Sequence, residues 1–267
     1  MNPFLTRYRP LYQVAKRAIL LFFVTFAAVT VLPIRLAEFG QVPNAFYGWI
    51  GDSLAVYVLR QMEQSLTPPG VIFIVIGPFD AFTVILEIGF YLALGVTLPY
   101  LLYGCFSWLA PGLSAAERRV VRWLVFLCTI LFFAGATFTY VIVLPPIYTF
   151  SYQLQPVVGA VGTLSLESFV ETTFMFLFAI GLAFEVPPIC LGLSYAGLLR
   201  SGMMKRYWNY AIAGCFVVAF LISPGVGGGI IETLIAVALS GLYGISYVLV
   251  KQVEQRKRMG VGIFASG

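Results

Sequence analysis

Residues 123–143 read WLVFLCTILFFAGATFTYVIV, a run of twenty-one residues without a charged side chain. A helix of about 20 apolar residues crosses the roughly 30 Å of hydrocarbon in a bilayer. Similar runs recur along the chain, which is 60% hydrophobic and only 10% charged, with a mean hydropathy of +0.94. This composition lies far outside that of a soluble globular domain. The sequence therefore predicts a polytopic membrane protein of the all-α class.

Six stretches are long and apolar enough to be transmembrane helices. A β-barrel would alternate lipid-facing and lumen-facing residues, which these unbroken runs do not do. The second and fourth stretches are long enough to be tilted or bent, whereas the fifth is short. The six predicted spans are residues 18–34, 79–108, 123–143, 166–195, 208–222 and 231–250.

Lysine and arginine are concentrated in alternate loops. Only Arg35 and Arg60 fall on the other side of the predicted bilayer, so the positive-inside rule places both termini in the cytoplasm. The net charge of +5 is then a topology signal rather than a sign of nucleic-acid binding. The basic residues of the cytoplasmic side are Arg7, Arg9, Lys16, Arg17, Arg118, Arg119, Arg122, Arg200, Lys205, Arg206, Lys251, Arg256, Lys257 and Arg258.

The predicted organisation is a single transmembrane domain over residues 1–267, with an external loop at 35–77 and a cytoplasmic tail at 251–267. Apolar residues in the middle of the loop follow helical spacing, which predicts an amphipathic helix lying against the outer surface. Pro68-Pro69-Gly70 is expected to end that helix.

Several kinds of chemistry are disfavoured by what the chain lacks. It contains no histidine, the commonest metal ligand and the usual general base near neutral pH. Its four cysteines show no C-x-x-C spacing and are interpreted as small buried hydrophobes, and no phosphate-binding G-x-x-x-x-G-K-[ST] loop occurs. We therefore expect no enzyme activity, no cofactor and no metal, and an energy source outside the chain.

Glu185 lies deep in the fourth predicted span. An acid at that depth costs several kcal/mol unless it is neutral, paired or wetted, so it is a functional candidate. Pro187 and Pro188 lack amide hydrogens, which predicts a kink with unpaired carbonyls at Ala183 and Phe184. The result would be a polar notch able to hold water, a proton or a polar segment of a passing chain. Alternatively, a protonated Glu185 only bonds to a neighbouring helix.

Glu87 and Glu232 form a second group of intramembrane acids, whereas Asp80, Glu167 and Glu171 are expected to be solvated near the external interface. Together with Glu185, Glu87 and Glu232 permit an alternative function, a proton-coupled secondary transporter of a small solute. Such transporters often contain two related halves, and no internal repeat is visible in this sequence.

Glu117 follows Pro111-Gly112, which breaks the chain, and lies three residues after Ser114. This spacing is that of a capping box at the start of a helix. A carboxylate that faces the cytoplasm at a helix N-terminus is also suited to bind a guanidinium group through two hydrogen bonds.

Three motifs resemble the TatC family, the core of the Sec-independent, twin-arginine protein translocase. They are residues 106–118, Phe184-Glu185-Val186-Pro187, and Pro78-Phe79-Asp80-Ala81-Phe82. The resemblance implies a concave six-helix scaffold in the cell (plasma) membrane that binds twin-arginine signal peptides of folded proteins. It also implies recruitment of single-span partners of the TatA and TatB kind, self-association, and export driven by the proton-motive force.

By position, Glu117 resembles the carboxylate that binds the signal arginines, and Glu185 resembles the buried glutamate facing the groove. Arg118 and Arg17 are also expected to take part in signal-peptide binding. Gln13 stands where the family carries an acid in a Glu-Leu-Arg-x-Arg run, so discrimination is expected to rest more on Glu117. Glu87 replaces a basic residue and Glu232 replaces a glutamine, which makes partner docking at those helices differ from the usual pattern.

Overall fold

The computed structural model describes residues 3–31, 53–109, 115–159, 163–195, 197–222 and 229–258. Within these ranges, residues 3–11, 105–109, 115–122, 158 and 256–258 are described by their backbone alone. The predicted chain break at Pro111-Gly112 and the predicted cap Ser114 lie outside the described residues, as does the first part of the loop at 35–77.

Helices dominate the described chain, as the apolar runs predict. They are α1 (Pro3–Val31), α2 (Leu54–Leu66), α3 (Asp80–Leu109), α4 (Ala115–Phe138), α5 (Leu144–Leu154), α6 (Leu166–Ala183), α7 (Val186–Tyr195), α8 (Ser201–Arg206), α9 (Trp208–Ile222) and α10 (Ile230–Arg258). A π-helical segment, Thr139–Val143, joins α4 to α5, and a 3-10 turn, Pro156–Val158, follows α5. Two short strands, β1 (Ile72–Ile74) and β2 (Thr163–Ser165), pair in parallel with Phe73 opposite Leu164.

Within the described ranges, five helical stretches are long and apolar enough to cross a membrane, which confirms the all-α membrane class. They are Tyr12–Val31, Asp80–Gly104, Trp123–Leu154, Leu166–Tyr195 and Ile230–Gln255. The fifth predicted span is present as α9 with the expected bounds, but it has only 15 residues. At 1.5 Å per residue it is about 22 Å long, less than the hydrocarbon thickness. Among the described residues, five helices are therefore long enough to span, and the predicted count of six stays a prediction.

The chain divides into two compact units. The first comprises Met1–Trp108 and Tyr148–Met175, and the second comprises Leu109–Ile147 and Phe176–Gly267. In the first unit, α2 occupies the middle of the loop at 35–77 and buries one face. The spacing of that face is four, three and four residues, which is the amphipathic pattern of a helix. Its buried side chains are Ala55, Leu59, Met62 and Leu66.

Phe169 holds together three elements of the first unit and is completely buried. Its ring centroid lies 5.1 Å from that of Phe73 in β1 and 5.0 Å from that of Tyr148 in α5. The Tyr148 hydroxyl donates a 3.0 Å hydrogen bond to the Phe169 carbonyl and lies 2.7 Å from the Thr173 hydroxyl. These contacts fasten β1 and α5 to the start of α6.

Asp80 has a local structural role at the start of α3. Its Oδ2 atom accepts hydrogen bonds from the amides of Gly77, at 2.6 Å, and Ile76, at 3.2 Å. A Cβ atom at residue 77 would collide with the Asp80 carboxylate, so only glycine fits this close approach. Asp80 therefore fixes the turn that leads into the second span.

The π-helical segment has a cause in the sequence that follows it. Pro145 and Pro146 lack amide hydrogens, so they cannot continue the regular bonding of α4. The backbone relaxes into a wider turn, in which the Leu144 amide donates to the Thr139 carbonyl five residues back. Thr139 and Val143, both fully buried, lie on the inner side of this turn.

The half-buried carboxyl of Glu63 in α2 makes the stability of the folded protein depend on pH. Burial raises the pKa of Glu63 above its ordinary value of 4.5, and the attraction of Arg60 lowers it by less. The folded protein therefore binds this proton more tightly than the unfolded chain. The resulting stabilisation is complete below the unfolded pKa and is lost as the pH rises through the folded pKa.

Glu63→Gln mimics the protonated form, so we expect it to melt at a slightly higher temperature than the parent protein at neutral pH. The difference should close as the pH falls below the ordinary value of 4.5. Melting curves of both proteins across this range, in one detergent, make the measurement. A difference in melting temperature that widens as the pH falls would contradict this prediction.

Candidate functional site

The fourth span is broken at the level predicted from its proline pair. Helix α6 ends at Ala183 and α7 begins at Val186, with Phe184 and Glu185 between them. The Glu185 amide donates to the Leu182 carbonyl at 3.0 Å, three residues back, so the chain tightens here. Pro187 and Pro188 occupy the first turn of α7 and are both buried. The carbonyls four residues before them, at Ala183 and Phe184, receive no helical hydrogen bond from these prolines.

Glu185 is enclosed by protein at this break, with only 3% of its surface exposed. Neither carboxyl oxygen makes a hydrogen bond of standard geometry within the described part of the chain. The polar group beside it is the thiol of Cys128 in α4, which is completely buried. Glu185 thus lies against a neighbouring helix, but both the polar notch and the bond to that helix stay predictions.

Helix α4 packs against the break through a stripe of buried residues. The ring of Phe132 lies 5.4 Å from that of Phe178, and it also faces Gly181. A Cβ atom at Gly135 would lie only 2.7 Å from the Phe184 ring, so the backbone of α4 touches the residue next to Glu185. The stripe repeats every three or four residues and consists of Leu124, Cys128, Phe132, Gly135 and Thr139.

The pairing of Cys128 with Glu185 is absent from the sequence interpretation, which treated the cysteines only as small hydrophobes. The sequence does contain part of the information, because the spacing of Cys128, Phe132 and Gly135 puts them on one helix face. That spacing identifies a packing face. It does not identify the residue on the facing helix.

Glu232 is a second buried acid of the second unit, with 7% of its surface exposed. It lies in the first turn of α10, where the partial positive charge of a helix N-terminus favours a carboxylate. Neither of its carboxyl oxygens has a hydrogen-bond partner among the described residues.

Glu87 belongs to a different group of acids, in the first unit. It is half-buried in α3, and it interacts electrostatically with Glu171 and Glu167 of α6. The structure therefore brings Glu87 together with two acids that the sequence placed at the external interface. Glu185 and Glu232 belong to the other unit.

The candidate residues for arginine binding are only partly described. Gln13 and Arg17 are exposed and lie one turn apart on α1. Between them, Val14 packs against Gly104 of α3 so closely that no Cβ atom would fit at residue 104. Glu117 and Arg118 lie in the first turn of α4, where the description covers the backbone alone.

Comparison with known proteins gives consistent results. A family model described as Sec-independent protein translocase protein (TatC) matches residues 9–237. TatC of Listeria innocua is 30% identical over 75% of this chain and 81% of its own length. TatC of Helicobacter pylori J99 is 31% identical over 67% of this chain and 71% of its own length.

The chloroplast TATC of Pisum sativum is 30% identical over 70% of this chain, and the chain spans about half of that relative, 52% of its length. The crystal structure of a twin arginine translocase receptor, TatC, in DDM superposes with a TM-score of 0.71 and 25% identity. The superposition covers 92% of this chain and 99% of the other. The chain therefore belongs to the TatC family of Sec-independent protein translocase proteins.

Proposed function

We propose that this chain is the receptor component of a twin-arginine translocase. It binds the Arg-Arg signal peptides of folded proteins, recruits single-span partners of the TatA and TatB kind, and supports export driven by the proton-motive force. The observation that carries the proposal is the family match over residues 9–237, supported by a structural likeness that extends over 92% of the chain. The same match disfavours a proton-coupled transporter of small solutes.

The proposed location is the cell membrane, with both termini in the cytoplasm. The described basic residues support this orientation. Lys16 and Arg17 lie near the start of the first span, and Lys251 lies near the end of the last. Lys205 and Arg206 lie in α8, between the fourth span and α9.

On the cytoplasmic side, the residues proposed to take part in binding the signal peptide are Glu117, Gln13, Arg118 and Arg17. Gln13 is exposed and therefore available to a peptide. A carboxylate forms charge-assisted, two-point hydrogen bonds with guanidinium, whereas an amide oxygen accepts a bond of roughly half that strength. The charge at Glu117 is thus the main determinant of selection for arginine.

Glu117→Gln is expected to weaken binding of an Arg-Arg signal peptide by roughly 10- to 100-fold, since a hydrogen bond to a charged group contributes about 1.5–3 kcal/mol. The measurement is titration of a fluorescent signal peptide against the purified protein in nanodiscs. Gln13→Glu should tighten binding, because it adds a second charge. A peptide with Lys-Lys in place of Arg-Arg should lose less affinity on Glu117→Gln.

Glu63→Gln is the matched control, because it makes the same acid-to-amide change in α2. It should leave peptide binding unchanged. If Glu117→Gln binds the Arg-Arg peptide as tightly as the parent protein, the proposed site is wrong.

Within the bilayer, we assign Glu185 a role in handling cargo or partner helices rather than in folding. Its support is its burial without a standard hydrogen bond at a broken helix, an arrangement that costs stability. Purification in mild detergent, followed by identification of co-eluting small membrane proteins, tests the recruitment of single-span partners. Accumulation of a small solute by the purified protein alone would favour the transporter instead.

A further inference from the structure

We propose that Cys128 is a positioning residue for Glu185: its thiol donates a hydrogen bond to the carboxyl and keeps it directed toward α4 at the helix break. The inference rests on the proposed function in one respect, because the bond matters for export only if Glu185 takes part in transport. The contact itself is independent of that function.

The first step is the burial of both groups. Glu185 is 3% exposed and Cys128 is 0% exposed, so water competes little for either side chain. Buried polar atoms in proteins are nearly always hydrogen-bonded, and a buried acceptor left without a partner costs about 1–3 kcal/mol. On α4, Leu124 clusters with Leu191 and Phe132 faces Gly181. Cys128 lies between these two contacts, as Glu185 does on the facing span, which places the thiol beside the carboxyl.

The second step is the rigidity of the surface that presents the thiol. Residues on the same face of α4 as Cys128 hold that helix against the break. Phe132 contacts Phe178 in the last part of α6, and Gly135 meets Phe184, the residue that precedes Glu185. Cys128 therefore approaches Glu185 from a fixed backbone rather than from a mobile loop.

The third step is the presence of competing partners. Protonated Glu185 can donate to the carbonyls of Ala183 and Phe184, which receive no helical bond from the two prolines. A bond from the thiol instead uses Glu185 as an acceptor and holds it away from those carbonyls. Because S–H is a weak donor, an incoming polar group can displace it at low cost.

The S–H stretching band in the infrared spectrum of the purified protein tests the contact. The difference between the spectra of the parent protein and Cys128→Ala isolates the band of this thiol. We expect Glu185→Gln to shift that band, and Glu232→Gln, the same change at the other buried acid of the second unit, to leave it in place. A band that does not move in Glu185→Gln would show that the thiol bonds to the backbone, and would overturn the proposal.

Export assays test the consequence. Cys128→Ser keeps a donor of similar size and should export close to the parental rate, whereas Cys128→Ala should fall by roughly fivefold, the effect of losing one modest hydrogen bond. Cys128→Val fills the site without a donor and should match alanine, which separates the bond from the packing. Equal export by the serine, alanine and valine variants would overturn the positioning role.

The contact between Cys128 and Glu185 and the role of Glu185 in transport can be disproved separately. If Glu185→Gln exports normally while the S–H band still shifts, the contact exists and the proposed role of Glu185 in transport is wrong. If export falls in Glu185→Gln but the S–H band does not move, Glu185 acts in transport without Cys128.

Discussion

Alanine at Gly135 is expected to destabilise the second unit by about 1–3 kcal/mol, the usual cost of overpacking a filled site. A Cβ atom there would lie 2.7–3.0 Å from three carbon atoms of Phe184, including its own Cβ. The Phe184 ring cannot swing away freely, because its centroid lies 5.7 Å from that of Phe138. The strain must therefore move either α4 or the break that contains Glu185.

Thermal unfolding in detergent measures this effect, and Gly241→Ala in α10 is the matched control. A Cβ atom at Gly241 meets nothing within 4 Å, so alanine should be neutral or slightly stabilising there, since it favours helix by about 1 kcal/mol over glycine. Adding Phe184→Leu to Gly135→Ala should recover part of the loss, which a double-mutant cycle detects. Equal melting temperatures for the two alanine variants would contradict the packing described at the break.

Phe169→Ala is expected to cost about 3–5 kcal/mol, the range for removing a buried phenylalanine ring. The ring is completely buried and fills the space between Phe73 of β1 and Tyr148 of α5. Its loss leaves a cavity and removes the aromatic contacts that fasten both elements to α6. We expect β1 to detach before the spans unfold.

Limited proteolysis around residues 68–79 and thermal unfolding together test this expectation. The Phe169→Ala protein should be cut there faster than the parent and should melt at a lower temperature. Phe126→Ala is the control, because that side chain is 63% exposed on α4 and its removal leaves no enclosed cavity. Proteolysis at an unchanged rate in Phe169→Ala would show that β1 is held by other contacts.

The spans could be predicted from sequence because a segment in lipid must pair its backbone polar groups internally, as a helix does, and must present apolar side chains. The predicted bounds 166–195 and 208–222 match the helices that form there. The break at Glu185 was readable for a different reason, since two adjacent prolines remove two amide donors whatever their surroundings. Both predictions depend on local chemistry.

The arrangements that escaped prediction depend on tertiary contact. The sequence shows that Cys128 lies in an apolar run, but no neighbouring residue indicates that its side chain meets Glu185. In the same way, Glu87 and Glu171 are separated along the chain and come together only through the packing of α3 with α6. The π-helical turn before Pro145 could have been inferred from the proline pair, since the same loss of donors operates there.

The parallel pairing of β1 with β2 sets an order on biosynthesis. Ile72 pairs with Thr163, so roughly ninety residues, including two membrane spans, separate the partners. The ribosome must therefore have delivered residue 165 before the ladder can close, and closing so long a loop slows the step. Until then the amides and carbonyls of β1 are unpaired, so this apolar strand can associate with other chains. Ile72 stays exposed even in the folded protein.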